Sequence, residues 1–334
     1  LRVHFLQKQL DALIAHAKAL TGNKKLSFDE QSQVLYDTQA PHHNLTDFDD
    51  TLAQFEQLMP GDGPLHLRIE KFKAQFEIPE DKLAVVFARA IKECRERTKP
   101  WANLLAHEDF TLEYVKDKPW GGYNWYKGNA KSLIQVNTDF PTTISRAVDL
   151  GCHEGYPGHH TYNAMLEDKL VKQRGWVEFT VYPLYSPQSL IAEGSANYGI
   201  EMAFPGNDKI EFEKNVLYPL AGIDPALADS LEHFSQLNNK LGYAGNEIAR
   251  LYINGDIDKE KTIALLQKYS MNTRKKAEHR ISFIDTYGAY VINYNWGKDM
   301  VKNYVEQAQG QQQRWQRFIQ LLSSPRLPSS LGEF

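Results

Sequence analysis

Residues 152–160 read Cys-His-Glu-Gly-Tyr-Pro-Gly-His-His, and the interpretation of the whole chain starts from this stretch. Three of the 11 histidines and one carboxylate lie within it. Imidazole and carboxylate groups are the ligands that a catalytic zinc ion takes from a protein. The stretch therefore predicts a metal site, and a polar loop with hydrogen-bonded histidines is the alternative.

The spacing differs from the common zinc-hydrolase pattern His-Glu-x-x-His, in which both imidazoles lie on one face of a helix. Pro157 occupies the position of the second histidine and cannot bind a metal. On a straight helix His159 would point away from His153, and His160 would lie about 10 Å further along the axis. Pro157 and Gly158 therefore predict an interruption of the helix, with Gly158 in a left-handed or otherwise unusual turn, that returns one histidine to the metal.

The remaining ligands are predicted with alternatives. His159 needs the smaller insertion and is the preferred second ligand after His153, with His160 as the alternative. Glu193 is the preferred third ligand, and Glu201, two turns further on, is its alternative. Three protein ligands leave the fourth position of a zinc ion to water, which is typical of a catalytic site. Glu154 is then placed to take a proton from that water as general base. Cobalt and manganese are not excluded by the spacing.

The segment that carries Glu193 is predicted to be a helix from Pro187 to Met202. Its residues Gly194, Ser195 and Ala196 are small enough to let it approach the metal-binding helix closely. Apolar neighbours on the N-terminal side of Glu193 argue against a simple surface position for this carboxylate.

Two motifs together resemble a known bacterial family. His-Glu-Gly-Tyr-Pro-Gly-His-His at 153–160 and Ala-Glu-Gly-Ser-Ala-Asn-Tyr at 192–198 resemble the family called domain of unknown function 885, which is grouped with the zincin-like metallopeptidases. The resemblance implies a mainly α fold with zincin-like architecture, one zinc ion and hydrolysis of peptide bonds, with carboxypeptidase activity as one option. It covers the chain from about residue 120 onwards. We therefore expect a helical N-terminal lobe over residues 1–119 and a zincin-like catalytic region over residues 120–334.

The block 279–294 supplies further candidates for catalysis. A Tyr hydroxyl or an Arg can stabilise the oxyanion formed in peptide hydrolysis. Tyr287 and Tyr294 are seven residues apart and share one helical face if the segment is a continuous helix. By the resemblance, Tyr294 corresponds to an aromatic residue of the family's C-terminal segment, although Tyr287-Gly288 stands where the family often has Pro-Gly. Arg280 is a candidate for binding a substrate carboxylate, and aromatic packing is the alternative role for the tyrosines.

Other segments carry structural predictions. Ser132 to Asn137 is the best strand candidate. It is predicted as an edge strand that holds an extended substrate beside the metal helix, as in zincin folds, and a plain structural hairpin is the alternative. Leu227 to Tyr252 and Lys298 to Leu322 are each predicted to form one long helix. His107-Glu108 lacks a following histidine and is not expected to form a second metal site.

The two cysteines are expected to be free. Cys94 and Cys152 are far apart in sequence, and Cys152 stands beside a predicted ligand, so buried thiols are favoured over a disulfide.

Composition limits the classes of function. The 334 residues include 42% hydrophobic and 24% charged residues, which is ordinary for a folded chain. A net charge of −4 offers no general attraction to nucleic acid, and no apolar run suffices for a membrane span. The expected partner is a peptide or small amide substrate, while compartment and oligomeric state stay open. A zinc hydrolase of non-peptide amides and a non-catalytic, metal-stabilised binding protein are the alternative functions.

Overall fold

The computed structural model describes residues 1–22 and 25–331, and these form a mainly helical fold with one small sheet. Turn residues and local breaks divide the helical segments into pieces of four to 20 residues. The helices are α1 (Arg2–Thr21), α2 (Phe28–Tyr36), α3 (Asp49–Leu58), α4 (Leu65–Lys73), α5 (Glu80–Thr98), α6 (Ile144–Leu150), α7 (His159–Leu166), α8 (Pro187–Ala203), α9 (Asp208–Phe212), α10 (Tyr218–Ala221), α11 (Ala228–Lys240), α12 (Ala244–Asn254), α13 (Lys259–Tyr269), α14 (Arg274–Tyr287), α15 (Ile292–Glu306) and α16 (Gln311–Leu322). None of the helices in the described ranges is long and apolar enough to cross a membrane.

The sheet has three strands in the order β1-β3-β2, namely β1 (Asp109–Val115), β2 (Gly122–Gly128) and β3 (Lys131–Asn137). β1 pairs with β3 in parallel, and β2 pairs with β3 in antiparallel fashion. The predicted strand at 132–137 is therefore confirmed, but its placement at the edge is wrong, because β1 covers its other side. The alternative, a hairpin, is what β2 and β3 form. The edge beside the metal-binding segment is β2. The sheet also crosses the boundary predicted at residues 119 and 120, since β1 precedes it.

Three helical segments differ from the prediction. The segment 227–252 is divided by a turn around Gly242 into α11 and α12, and the C-terminal segment is divided at 307–310, where Gly310 has a φ of 78°. Gly288, with a φ of 59°, ends α14 before α15 begins. Tyr287 and Tyr294 therefore do not lie on one continuous helix.

The tightest approach between two helices joins α8 to α15. A Cβ at Gly194 would lie 2.3 Å from the carbonyl oxygen of Gly297, so neither position tolerates a side chain without a shift of the backbone. The predicted helix at 187–202 is confirmed, but Gly194 serves the contact with α15 and not the contact with the metal-binding helix. That second contact is made at Gly199, where a Cβ would lie 2.9 Å from Cγ of Pro157.

The two cysteines form a disulfide, which overturns the prediction of free thiols. They are 58 residues apart in sequence, but α5 packs against the segment 151–155 and brings their Cα atoms to 5.4 Å. This separation lies within the usual range for a disulfide. The bond ties Cys152, next to His153, to Cys94 in α5.

The apolar core consists of two clusters, and the segment 151–166 contributes to both. Cys152 and Tyr156 pack in the cluster formed mainly by α3 to α6 and α10 to α14. Tyr162 and Leu166 pack in the cluster formed mainly by α2, α8, α15 and α16. Core packing on both sides therefore holds this segment in place.

Candidate metal centre

The chain around His153 follows an interrupted helical path, as the sequence predicts. α6 continues into one π-helical turn, Gly151–Gly155, which carries His153 and Glu154. Such turns often occur at functional sites. The Tyr156-Pro157 peptide is cis, and α7 begins at His159. Gly158 has a φ of −76° and a ψ of −139°, so it is not left-handed but adopts an otherwise unusual conformation, the second of the two predicted options. Glycine is required there because a Cβ would lie 1.8 Å from the carbonyl oxygen of His153.

The predicted ligands His153, His159 and Glu193 converge at one point. Nε2 of His153 lies 3.1 Å from Nε2 of His159 and 3.1 Å from Oε2 of Glu193. Nε2 of His159 lies 3.5 Å from Oε1 of Glu193. Ligand atoms about 2.1 Å from a tetrahedral zinc ion lie about 3.4 Å from one another. The spacing of these three side chains therefore fits a single ion between them.

The tautomer of His153 leaves Nε2 free to bind a cation. Nδ1 of His153 lies 3.0 Å from Oδ1 of Asn197. The amide nitrogen of Asn197 donates to the carbonyl oxygen of Tyr294 at 2.9 Å, so its oxygen faces the imidazole as an acceptor. Nδ1 of His153 must then carry the proton, and Nε2 carries a lone pair. A hydrogen-bonded Nδ1 of this kind is the usual support of a histidine ligand.

Glu193 is buried and incompletely satisfied. The hydroxyl of Tyr290 donates to Oε1 at 2.7 Å, whereas Oε2 has no hydrogen-bond donor. Since Nε2 of His153 also carries a lone pair, two acceptors face each other, and a cation would satisfy both. Burial alone would raise the pKa of Glu193, but the neighbouring imidazoles, His159 foremost, lower it well below its usual value when they carry protons in place of a metal ion. In turn, burial lowers the pKa of His159 and Glu193 outweighs this effect and raises it.

Glu154 offers a second carboxylate beside the same histidines. One of its oxygens lies within 4.8 Å of a ligand atom on each of His153 and His159. The contacts of Glu193 are shorter, so Glu193 fits the ligand position better and Glu154 fits a neighbouring role. The main-chain oxygen of Glu154 accepts from Asn124, and a Cβ at Gly122 would lie 2.7 Å from its side-chain oxygen Oε1. The edge strand β2 therefore packs directly against the predicted base.

Both alternative ligands lie elsewhere. His160 points into the interior, where its two ring nitrogens contact Ser132 at 2.8 Å and Glu108 at 3.1 Å. Glu201 pairs with two lysines of α15 at 2.6 and 2.8 Å. The buried carboxylate of Glu108 also accepts from Tyr156 and from Arg95. Sequence reasoning set Glu108 aside as a metal ligand and missed this role, because its partners are 13 to 52 residues away.

The site lies in a cleft of about 990 Å³. The remaining predicted residues, Tyr287, Tyr294 and Arg280, all line this cleft. The ring of Tyr294 stacks near that of His153, with 6.5 Å between the ring centroids. Burial and the charge of Glu193 raise the pKa of Tyr294 well above its usual value. The aromatic spacing of the sequence identified Tyr294 but not Tyr290, one turn earlier, which contacts Glu193.

Comparisons with known proteins support the fold alone. No family model matches the chain, and no curated protein matches it. The chain is similar to the solved structure of a "putative lipoprotein" from Colwellia psychrerythraea, with a TM-score of 0.64 and 14% sequence identity. The match covers 91% of this chain and 53% of that chain, so this chain spans about half the length of its structural neighbour.

Proposed function

We propose that this chain is a zinc-dependent hydrolase of peptide bonds with a zincin-like site. The observation that carries the proposal is the convergence of His153, His159 and Glu193 at 3.1 to 3.5 Å, with a further carboxylate, Glu154, beside them in a cleft. When bound, zinc polarises the scissile carbonyl group and makes water more acidic. The resemblance of both motifs to a zincin-like family agrees with this assignment.

Glu154 is the proposed general base. It takes a proton from the attacking water and delivers it to the leaving amine, which restores the carboxylate for the next cycle. The hydrogen bond from Asn124 to its main-chain oxygen fixes its backbone. Contact with Gly122 limits the positions that its carboxylate can take. Both features favour a base with a defined orientation.

Tyr294, with Tyr287 as the alternative, is the proposed oxyanion donor. The raised pKa of Tyr294 keeps its hydroxyl protonated at neutral pH, so it can donate a hydrogen bond to the developing charge. The stacking of its ring near that of His153 is the contact that favours it over Tyr287, which packs on Phe283.

Metal content is the first test of this proposal. Protein purified without chelator or metal resin should contain about one zinc ion per chain by mass spectrometry, and His153→Ala should contain none. A native protein that takes up no zinc, even after zinc is added, would contradict the proposed site.

Turnover of peptides tests the role of Glu154. Glu154→Gln should keep zinc and lose activity by about 10²- to 10⁴-fold, because only the proton acceptor is removed. The exposed Glu113 provides the control, and Glu113→Gln should match the native enzyme. Full activity in Glu154→Gln would refute the mechanism. A panel that includes acylated amino acids distinguishes peptide bonds from non-peptide amides as the substrate.

A further inference from the structure

Two arginines of the cleft have no acidic partner. Arg146 of α6 and Arg280 of α14 both line the cleft. Within residues 1–22 and 25–331, neither guanidinium lies within salt-bridge or hydrogen-bond distance of a carboxylate. By contrast, Arg95, Arg250 and Arg274 each pair with at least one acid at 3.0 Å or less. The two cleft arginines therefore keep positive charges that the protein itself leaves uncompensated.

Neighbouring basic groups on the same wall are already engaged. Lys276 pairs with both carboxylate oxygens of Glu70 at 2.8 and 2.9 Å. Nε2 of His279 contacts the carbonyl oxygen of Lys118 at 2.8 Å. Of the basic groups that α6 and α14 contribute to the cleft, the two arginines thus remain for a ligand. Lys127 of β2 also lines the cleft without an acidic partner among the described residues, and it lies over the ring of Trp125.

Both guanidinium groups have a defined setting. That of Arg280 is half-buried and lies over the ring of Phe283, 5.1 Å from its centroid. Nη2 of Arg146 lies 3.1 Å from the place that a Cβ would take at Gly121. A ring and a close backbone contact therefore restrict the two groups without neutralising them.

The lining of the cleft contains carboxylates as well as the two unpaired arginines. The carboxylates of Glu154 and Glu193 stand at the histidines, and the ring of Tyr294 lies next to them. Arg280 and Arg146 line the same cleft as His153 and His159. A substrate with its carbonyl at the histidines therefore shares the cleft with the two arginines, and an extended chain advances about 3.5 Å per residue.

We propose that Arg146 and Arg280 form a subsite for a carboxylate of the substrate, which restricts the enzyme to peptides with a carboxylate close to the scissile bond. A planar guanidinium binds a carboxylate through two parallel hydrogen bonds, and the second arginine adds charge. The carboxylate is either the C-terminus of a peptide or the side chain of Asp or Glu. The position of the cleaved bond rests on the proposed function, but binding of the carboxylate does not.

A binding experiment tests the subsite without turnover. The probe is a library of N-acetylated tetrapeptides of randomised sequence, made once with a free C-terminal carboxylate and once as the amide. Zinc-loaded Glu154→Gln protein is equilibrated with each library, and retained peptides are identified by mass spectrometry. We expect free acids to be retained about 10- to 100-fold over amides, or peptides with Asp or Glu to be enriched to that extent among the amides. The first result identifies the C-terminus as the ligand and the second identifies a side chain.

Variants in the same Glu154→Gln background identify the groups responsible. Arg280→Gln and Arg146→Gln should each lower the preference, and the double variant should abolish it. Lys276→Gln is the matched control, one turn before Arg280 on α14 and already paired with Glu70, and should keep the preference. Retention of acids no better than amides, together with no enrichment of Asp or Glu among the retained amides, would overturn the subsite, and so would no retention of either library. A preference unchanged in the double variant would also overturn it.

Cleavage of the same libraries by the native enzyme separates the two proposals. Equal cleavage of acids and neutral amides would refute the subsite and leave the hydrolase intact. Selective retention by Glu154→Gln without any cleavage by the native enzyme would support the subsite and refute the hydrolase.

Discussion

The turn 156–160 separates two clusters that are built alike and differ in one respect. On the interior side, Glu108 accepts from the hydroxyl of Tyr156 and contacts the imidazole of His160. On the cleft side, Glu193 accepts from the hydroxyl of Tyr290 and lies against the imidazole of His159. Each cluster thus holds a buried carboxylate, a tyrosine hydroxyl and one of two adjacent histidines.

The difference lies in the positive charge. Arg95 donates twice to Glu108, at 2.6 and 2.8 Å, and completes the interior cluster. Glu193 has no lysine or arginine within salt-bridge distance among the described residues, and its Oε2 has no donor. A buried carboxylate oxygen without a donor is costly. The interior cluster is therefore fully paired within the protein and stabilises the turn, whereas the cleft cluster is suited to a cation from outside.

The largest expected effect is the difference in zinc affinity between Glu193→Gln and Glu108→Gln, the same substitution in the two clusters. Glu193→Gln should lower zinc affinity by more than about 100-fold, because loss of a direct ligand should exceed the cost of losing an outer-shell partner. The loss of zinc affinity in Glu108→Gln should be at least about tenfold smaller, because this substitution removes no ligand atom. Competition with a chromophoric chelator measures both affinities. Equal losses would break the distinction between the clusters.

Glu108 should matter more for the stability of the zinc-free protein than for its zinc affinity. Glu108→Gln should lower the free energy of unfolding by about 1–3 kcal/mol, because the amide carries no charge and offers one acceptor oxygen where the carboxylate offers two to Arg95, Tyr156 and His160. Urea unfolding measures this loss. Glu278→Gln is the control, since its exposed pair with Arg274 should contribute only about 0.3–0.5 kcal/mol. A loss as small as that of the control would show that the interior cluster is not structural.

The contribution of Glu108 to the free energy of unfolding should depend on pH. Burial alone would raise the pKa of Glu108, but hydrogen bonds from His160, Tyr156 and Arg95 lower it to about 2. A carboxyl group with a depressed folded-state pKa stabilises the protein above its unfolded pKa of about 4.3, and this stabilisation is lost as pH falls towards the folded value. The difference in free energy of unfolding between native protein and Glu108→Gln should therefore shrink from about pH 5 towards about pH 2. A constant difference across that range would contradict the assigned cause.

The sequence predicts those parts of the site that depend on local covalent geometry. A straight helix through Pro157 and Gly158 could not bring a later histidine to the same ion as His153, so helix geometry predicts the interruption. The preference for His159 over His160 follows from the smaller insertion that His159 needs. The strand at 132–137 follows likewise from a short apolar-rich run bounded by polar residues, whereas the mainly helical fold as a whole is what the resemblance implies. The sequence thus predicts the features that local backbone geometry restricts strongly.

Features that depend on distant partners could not be predicted in this way. The cysteines pair across 58 residues, and Glu108 reaches His160 across 52. The edge position of β2 depends on the pairing of β1 with β3, which begins before the predicted boundary at residue 120. A spacing pattern contains none of these contacts, because each is created by tertiary packing.

Asn197 allows a finer test of the cleft cluster. Asn197→Ala removes the acceptor that fixes the tautomer of His153, so zinc affinity should fall by about tenfold, at the lower end for an outer-shell partner. Asn197→Asp keeps an acceptor for His153, but its second oxygen replaces the donor to the carbonyl oxygen of Tyr294, so zinc affinity should fall less than in Asn197→Ala. Chelator competition checks both variants. Equal losses in Ala and Asp would show that the contact does not orient His153.

The smallest expected effect belongs to Tyr290. Tyr290→Phe removes one hydrogen bond to Oε1 of Glu193 and keeps the ring, so zinc affinity should change only a few-fold, consistent with about 0.5–1.5 kcal/mol for one such bond. Tyr156→Phe removes the corresponding hydroxyl from Glu108 and should leave zinc affinity unchanged while lowering stability by a similar amount. The pair thus repeats the contrast between the clusters with a single oxygen atom on each side. If zinc affinity fell equally in both variants, a change in the interior cluster would alter the ligands through residues 156–160. The two clusters would then form one unit.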